Sequence, residues 1–99
     1  MVTNQHSIDD NVNQIYSPRV GDVIIDIRHP SEVKNKPLIS TENQILQIPF
    51  FKLASESSGL DINQHYLIYC DKGIMSRLQA LKLKDQGFKK VSVLLNSTS

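Results

Sequence analysis

Four short apolar runs, separated by stretches of different composition, constrain the fold of this chain more than any other feature. They are Val23–Ile27, Ile45–Ile48, Tyr66–Tyr69 and Val91–Leu95. A continuous apolar run is typical of a strand covered on both faces, and strands that alternate with helices are typical of parallel crossovers. The sequence therefore predicts an α/β domain built on a parallel sheet.

Two of the intervening segments, residues 50–57 and 76–86, are predicted to be helical. The first is expected to bury one side, made of Phe50 or Phe51 with Leu53 and Ala54. The second is the clearest helix of the chain, with Ser76 as its N-cap. Its core-facing stripe is expected to be Ile74, Leu78 and Leu81.

The remaining segments are predicted to lack regular structure. Pro30 disfavours a helical conformation at His29, so residues 28–32 are predicted to form a turn, and the polar residues 33–44 a loop. Residues 1–19 are rich in Asn, Gln, Ser and Asp, and are expected to form a linker or a short helix around Val12–Tyr16. The domain proper is then expected over residues 20–99.

Composition and charge exclude several classes of protein. Ninety-nine residues make one small domain, and a net charge of +1 does not suggest a strongly nucleic-acid-binding chain. Residues 1–69 nevertheless carry a balance of −3 and residues 70–99 one of +4. A single cysteine rules out an intramolecular disulfide and a cysteine-rich metal site, and it suits a reducing compartment. No apolar run is long enough to span a membrane, so a cytoplasmic protein is expected.

The single cysteine lies where the third apolar run ends and a helix is expected to begin. A thiol at this junction would meet backbone N–H groups and the positive end of a helix, and both favour the nucleophilic thiolate. Gly73 lets the loop curl around Cys70, while Lys72 and Arg77 add positive potential. Asp71 would oppose the thiolate unless it points outward. We interpret Cys70 as a sulfur or group carrier rather than a buried core thiol.

The same residues resemble a known family. The loop resembles the active-site loop of rhodanese-homology domains, and residues 26–32 resemble the Asp-x-Arg-x-x-x-Glu segment near the start of such domains. The closest resemblance is to the C-terminal rhodanese-like domain of the tRNA 4-thiouridine synthetase (tRNA sulfurtransferase) family, over about residues 20–95. It rests mainly on the run Cys70-Asp71-Lys72-Gly73-Ile74-Met75-Ser76-Arg77-Leu78-Gln79-Ala80-Leu81.

The resemblance implies a fold and a function. The fold would be a mainly parallel sheet of four or five strands with helices on both faces. Cys70 would accept sulfur from a cysteine desulfurase as a persulfide and deliver it for 4-thiouridine formation in tRNA. A thiamine sulfur-carrier protein is a further implied partner. No metal or cofactor is expected in this domain, because the resemblance places ATP in a domain absent from this chain.

The resemblance also implies roles for individual residues. Residues 71–77 would form the active-site loop around Cys70, and Asp26 with Arg28 would support it. A pairing of Glu32 with Arg28 is left open. His6, His29 and His65 lack metal-ligand spacing and are expected to be surface or capping residues.

Two other functions are considered. A cysteine phosphatase needs Cys-x5-Arg so that the guanidinium grips the phosphate, but here Ser76 holds that position and Arg77 follows it. A non-catalytic binding module would use the basic helix, with Lys82 and Lys84, as its docking face, and the cysteine at the key position argues against it.

Overall fold

A five-stranded parallel sheet forms the centre of the computed structural model, which describes residues 12–39, 42–71 and 73–95. The strands lie in the order β1-β5-β4-β2-β3. They are β1 (Asn13–Ile15), β2 (Val23–Asp26), β3 (Ile45–Gln47), β4 (Tyr66–Tyr69) and β5 (Val91–Leu94). The helices are α1 (Pro30–Asn35), α2 (Phe50–Glu56) and α3 (Ile74–Asp85), with a 3₁₀ turn at Ser57–Gly59. The predicted α/β fold with a parallel sheet is confirmed.

Side chains alternate between the two faces of the sheet and so build two apolar clusters. In the central pair, Ile25 of β2 lies opposite Ile68 of β4, and Asp26 lies opposite Tyr69. One cluster joins strand residues to α2 and α3, through Ile25, Ile68, Val93, Leu53, Ala80 and Leu83. The other contains Ile24, Leu67, Tyr69 and Leu94, with Ile15, Leu38 and Ile45 packed against them.

Among the described residues, no helix is long and apolar enough to cross a bilayer.

The first strand corrects the expectation for the N-terminal region. Asn13–Ile15 pairs in parallel with β5, with Gln14 opposite Val93, so the predicted short helix around Val12–Tyr16 is wrong. This edge strand has two exposed polar residues and draws its stability from pairing with β5, a tertiary effect that local sequence does not show. Residues 1–11 of the predicted linker lie outside the described residues.

Helix α1 replaces the predicted turn and part of the predicted loop. Proline is compatible with the first helical position, and His29 precedes it in an extended conformation as the N-cap. Nδ1 of His29 accepts the N–H of Ser31 at 3.1 Å, and Oε1 of Glu32 accepts the N–H of His29 at 3.1 Å. The expected capping role of His29 is confirmed, and Glu32 completes this capping box.

The predicted buried sides of the two longer helices are wrong in part. In α2 Leu53 is buried, whereas Phe50, Phe51 and Ala54 are exposed. In α3 Ile74 and Leu78 are 77% and 48% exposed, and Leu81 is only partly buried. The buried positions of α3 are instead Ser76, Gln79, Ala80 and Leu83. The spacing of apolar residues therefore predicts a helix correctly, but the side of α3 that faces the core is not the predicted one.

Candidate active site

The carboxyl ends of β2 and β4 and the first turns of α2 and α3 meet at one edge of the sheet. Cys70 directly follows β4, and the N–H of Ile27, after β2, donates to the carbonyl of Tyr69 at 3.0 Å. The N–H of Phe50 in turn donates to the carbonyl of Ile27 at 2.9 Å, which fixes the start of α2 beside β2. Parallel sheets commonly place their sites at such an edge.

Main-chain N–H groups converge on the sulfur of Cys70. The nitrogens of Gly73 and Ser76 lie 3.2 Å and 3.3 Å from Sγ, and both donate to it. The Ser76 hydroxyl oxygen also lies 3.3 Å from Sγ and accepts from the thiol. Cys70 is 8% exposed, so these groups replace most of the solvent around the sulfur. Such fixed donors stabilise a negatively charged sulfur without having to reorganise.

The sulfur also completes the start of α3. The N-cap is Gly73, which has no side chain to accept the free N–H groups of the first turn, and the helix begins at Ile74. Cys70 supplies the missing acceptor, because Sγ receives the N–H of Ser76 at the third helical position. The prediction of Ser76 as N-cap is therefore wrong. Ser76 lies inside the helix, fully buried against the cysteine.

Asp26 and Arg28 form a buried ion pair beside the cysteine loop. The carboxylate accepts Arg28 Nε at 3.0 Å, a terminal guanidinium nitrogen at 2.8 Å and the Arg28 backbone N–H at 3.1 Å. The guanidinium carbon lies 5.0 Å from the centre of the Tyr69 ring, so the pair braces the residue that precedes Cys70. The hydrogen bonds that Arg28 donates to Asp26 raise the pKa of Arg28, while burial raises the pKa of Tyr69.

A cavity of about 350 Å³ opens at Cys70. Two acidic residues line it, and both Asp71 and Glu32 are exposed, so Asp71 does point outward as expected. The other lining residues are Ile27, Arg28, His29, Phe50, Ile74 and Met75. Phe50 was not predicted as a site residue. Its position shortly after β3 could have indicated the site, because that position lies at the same carboxyl edge of the sheet as Cys70.

The predicted loop also contains two basic residues, Lys72 and Arg77. The backbone N–H of Arg77 donates to the carbonyl of Gly73 at 3.2 Å and so closes the first turn of α3. The side chain of Arg77 is not among those described as lining the cavity. Lys72 lies outside the described residues.

The histidines show no metal-binding arrangement in the described part of the chain. His65 is half-buried and bridges Asp22, 2.9 Å from Nδ1, and Ser92, 3.1 Å from Nε2. His6 lies outside the described residues. Within those ranges, no three His, Cys, Asp or Glu side chains group together as metal ligands would.

Replacing Gly73 with valine is expected to slow any sulfur chemistry at Cys70 while leaving the domain folded. Gly73 has a φ of +79°, which a β-branched residue adopts only under strain, and an added Cβ would lie 2.9 Å from a Leu95 methyl. The strain costs about 1–3 kcal/mol, less than the about 5–15 kcal/mol that keeps a small domain folded. Displacing the Gly73 N–H should lower the rate of sulfur transfer by about tenfold to a hundredfold.

Gly59→Val is the matched control for this substitution. Gly59 has no positive φ, and no atom lies within 4 Å of the position of an added Cβ. Transfer rates and thermal unfolding should be measured for both variants. An unchanged rate for Gly73→Val with an intact thermal transition would show that the loop geometry does not matter.

Comparison with known proteins agrees with this geometry. The profile of the family described as rhodanese-like domain matches residues 8–99. The chain is 46% identical over 72 residues to the tRNA sulfurtransferase of Haemophilus ducreyi, covering 73% of this chain and 15% of that protein. It is 46% identical over 84 residues to the tRNA sulfurtransferase of Marinobacter nauticus, covering 85% and 17%.

A solved structure supports the fold. A NAD-dependent persulfide reductase from A. fulgidus superposes with a TM-score of 0.73 at 22% identity, over 93% of this chain and 16% of that one. The chain thus spans about a sixth of the length of the proteins it matches. The extent of the profile match and the shared fold agree: this chain belongs to the rhodanese-like domain family.

Proposed function

We propose that this domain is a sulfurtransferase domain that carries sulfur as a persulfide on Cys70. The observation that carries the proposal is the pair of main-chain N–H groups, from Gly73 and Ser76, that donate to Sγ. They stabilise the thiolate before the reaction, and the same edge of the sheet offers an open cavity for the added sulfur.

The chemistry has two steps. In the first, the Cys70 thiolate attacks the outer sulfur of a donor persulfide, a new S–S bond forms, and the donor leaves as a thiolate, so no oxidant or reductant is consumed. In the second, the outer sulfur attacks the activated carbon of the acceptor and displaces its leaving group. A thiol from outside this chain then attacks the Cys70 sulfur, releases the thiolated acceptor and forms a disulfide with Cys70, which a reducing thiol reopens. Asp26 and Arg28 position the strand ends around Cys70 in both steps and exchange no proton with the sulfur.

The family resemblance suggests both the donor and the acceptor, and the relatives' names support an acceptor in tRNA. We take a cysteine desulfurase as the donor and a tRNA uridine as the acceptor, giving 4-thiouridine in the cytoplasm. The matched relatives are named tRNA sulfurtransferase, and this chain spans 15–17% of their length. Activation of the uridine with ATP would therefore belong to other domains. A thiamine sulfur-carrier protein is a second acceptor to test.

The site argues against the phosphatase alternative. A phosphate needs a guanidinium at its edge, but the sixth position after Cys70 is the buried Ser76, which faces the sulfur instead. Under the binding-module alternative, the two N–H donors on Sγ would serve only to cap the start of α3. The following test distinguishes this alternative from a sulfur carrier.

Incubation with a cysteine desulfurase and cysteine should add one sulfur atom, about 32 Da, to the intact chain. Peptide mapping should place the added mass on Cys70, and a reducing thiol should remove it. The control is the same incubation without cysteine. A chain that gains no mass, while the desulfurase releases sulfide normally, would favour a non-catalytic binding module.

A further inference from the structure

Exposed apolar side chains surround the opening at Cys70, and the sulfur chemistry itself does not require them. We call this surface the apolar rim, made of the exposed Phe50, Phe51, Ile74 and Leu78 with the partly buried Met75. Ile74 is 77% exposed, and Phe51 and Leu78 are 55% and 48% exposed. Apolar groups gathered in one exposed patch, unlike scattered ones, mark an interaction site.

The apolar rim is continuous with the cavity. Phe50, Ile74 and Met75 line the same cavity as Cys70. Phe51 packs edge-on against Phe50, with ring centres 5.4 Å apart, and extends the surface along α2. Leu78 lies one turn after Ile74 on the same side of α3 and extends it in the other direction. A molecule that exchanges sulfur with Cys70 must therefore contact this rim.

The charges at the opening limit what that molecule can be. Among the described side chains that line the cavity, Arg28 is the one permanently charged cation, and its guanidinium is buried and engaged by Asp26. Glu32 and Asp71 are exposed there and add negative charge. The described part of the opening is therefore apolar and acidic, and it fits an apolar protein segment better than the phosphate backbone of an RNA.

Resting on the function proposed above, we infer that the apolar rim is the docking surface for the sulfur-donating protein. The segment it fits is a short extended stretch that carries a cysteine persulfide among apolar residues without acidic neighbours. Because Cys70 is 8% exposed, the segment has to enter the cavity, and the rim holds it while the thiolate attacks.

The test compares a protein donor with a small donor on the full chain. Phe51→Gln and Leu78→Gln remove the outer parts of the rim without replacing any residue that lines the cavity or forms the cysteine loop. Persulfide formation on Cys70 is timed with a cysteine desulfurase plus cysteine, and separately with inorganic polysulfide. The double variant should react about tenfold more slowly with the desulfurase, as expected for loss of two interface contacts. Its rate with polysulfide should stay within about twofold of the parent chain.

Ile62→Gln is the matched control. Ile62 is 43% exposed and lies in the turn before β4, at the opposite end of that strand from Cys70. It should leave both rates unchanged. Equal desulfurase rates for the double variant and the parent chain would overturn the docking surface. Equal slowing with both donors would do the same, since it indicates damage to the cysteine loop.

A defect confined to the onward transfer would assign the rim to the acceptor and also overturn the inference. Failure of the function itself has a different signature. In that case, the parent chain would form no persulfide with either donor.

Discussion

Replacement of Cys70 with alanine is expected to reduce sulfur transfer by this domain to background. The chain contains one cysteine, so no second thiol can take over as nucleophile or carrier. The two main-chain donors would remain in place but would have no sulfur to stabilise. The measurement is the time course of sulfur passing from a cysteine desulfurase to the chain, followed by mass.

The same substitution should also cost stability, for a reason visible in the site. Without Sγ, the buried N–H of Ser76 and the N–H of Gly73 lose their acceptor at the start of α3. Leaving buried donors unpaired costs about 1–3 kcal/mol. Cys70→Ser keeps an acceptor at this position and should recover part of the loss in urea unfolding, yet it should transfer no sulfur.

The serine variant therefore separates the structural role of residue 70 from its chemical role. Measurable transfer by Cys70→Ser would show that another group carries the sulfur. If the alanine and serine variants lose sulfur transfer only in proportion to their loss of stability in urea, Cys70 matters chiefly for folding.

The central strands were predictable from the local sequence alone. Val23–Asp26 and Tyr66–Tyr69 are short, mainly apolar runs that are buried on both faces of the sheet. Such runs are typical of central parallel strands and fit few other structures. The convergence of main-chain N–H groups on Cys70 was likewise predictable, because a thiol and a glycine between a strand and a helix allow few loop conformations. In each case, local sequence and tertiary structure favour the same conformation.

The errors have physical causes of their own. Asn13–Ile15 is a strand only because β5 lies beside it, and nothing in those three residues favours a strand strongly. Helix α1 begins at Pro30, whereas a turn was predicted there. Proline disfavours a helical conformation in the residue before it, but it does not prevent a helix from starting at the proline itself. The predicted apolar stripe of α3 is on the wrong side of the helix, because Ile74 is exposed beside the cavity rather than buried in the core. Sequence patterns that fail at such positions often mark function.

Loss of Asp26 is expected to destabilise the domain more than any other change at this site. The Asp26 side chain is fully buried and the Arg28 side chain is 4% exposed, so Asp26→Ala would leave a guanidinium in the interior without its counter-charge. It would also remove three hydrogen bonds, including the one from the Arg28 backbone. Breaking a buried pair in this way costs about 3–5 kcal/mol. Urea unfolding should show this as a lower midpoint with an unchanged slope.

The double variant Asp26→Leu with Arg28→Met tests whether the pair acts through structure or through the reaction. Removing both charges together leaves no unpaired group, and such replacements are often close to neutral in stability. Recovered stability together with recovered sulfur transfer would assign the pair a supporting role around Tyr69 and Cys70. Recovered stability without transfer would show that Arg28 takes part in the reaction, because the fold alone would then be insufficient. An Asp26→Ala variant within about 1 kcal/mol of the parent chain would contradict the buried ion pair itself.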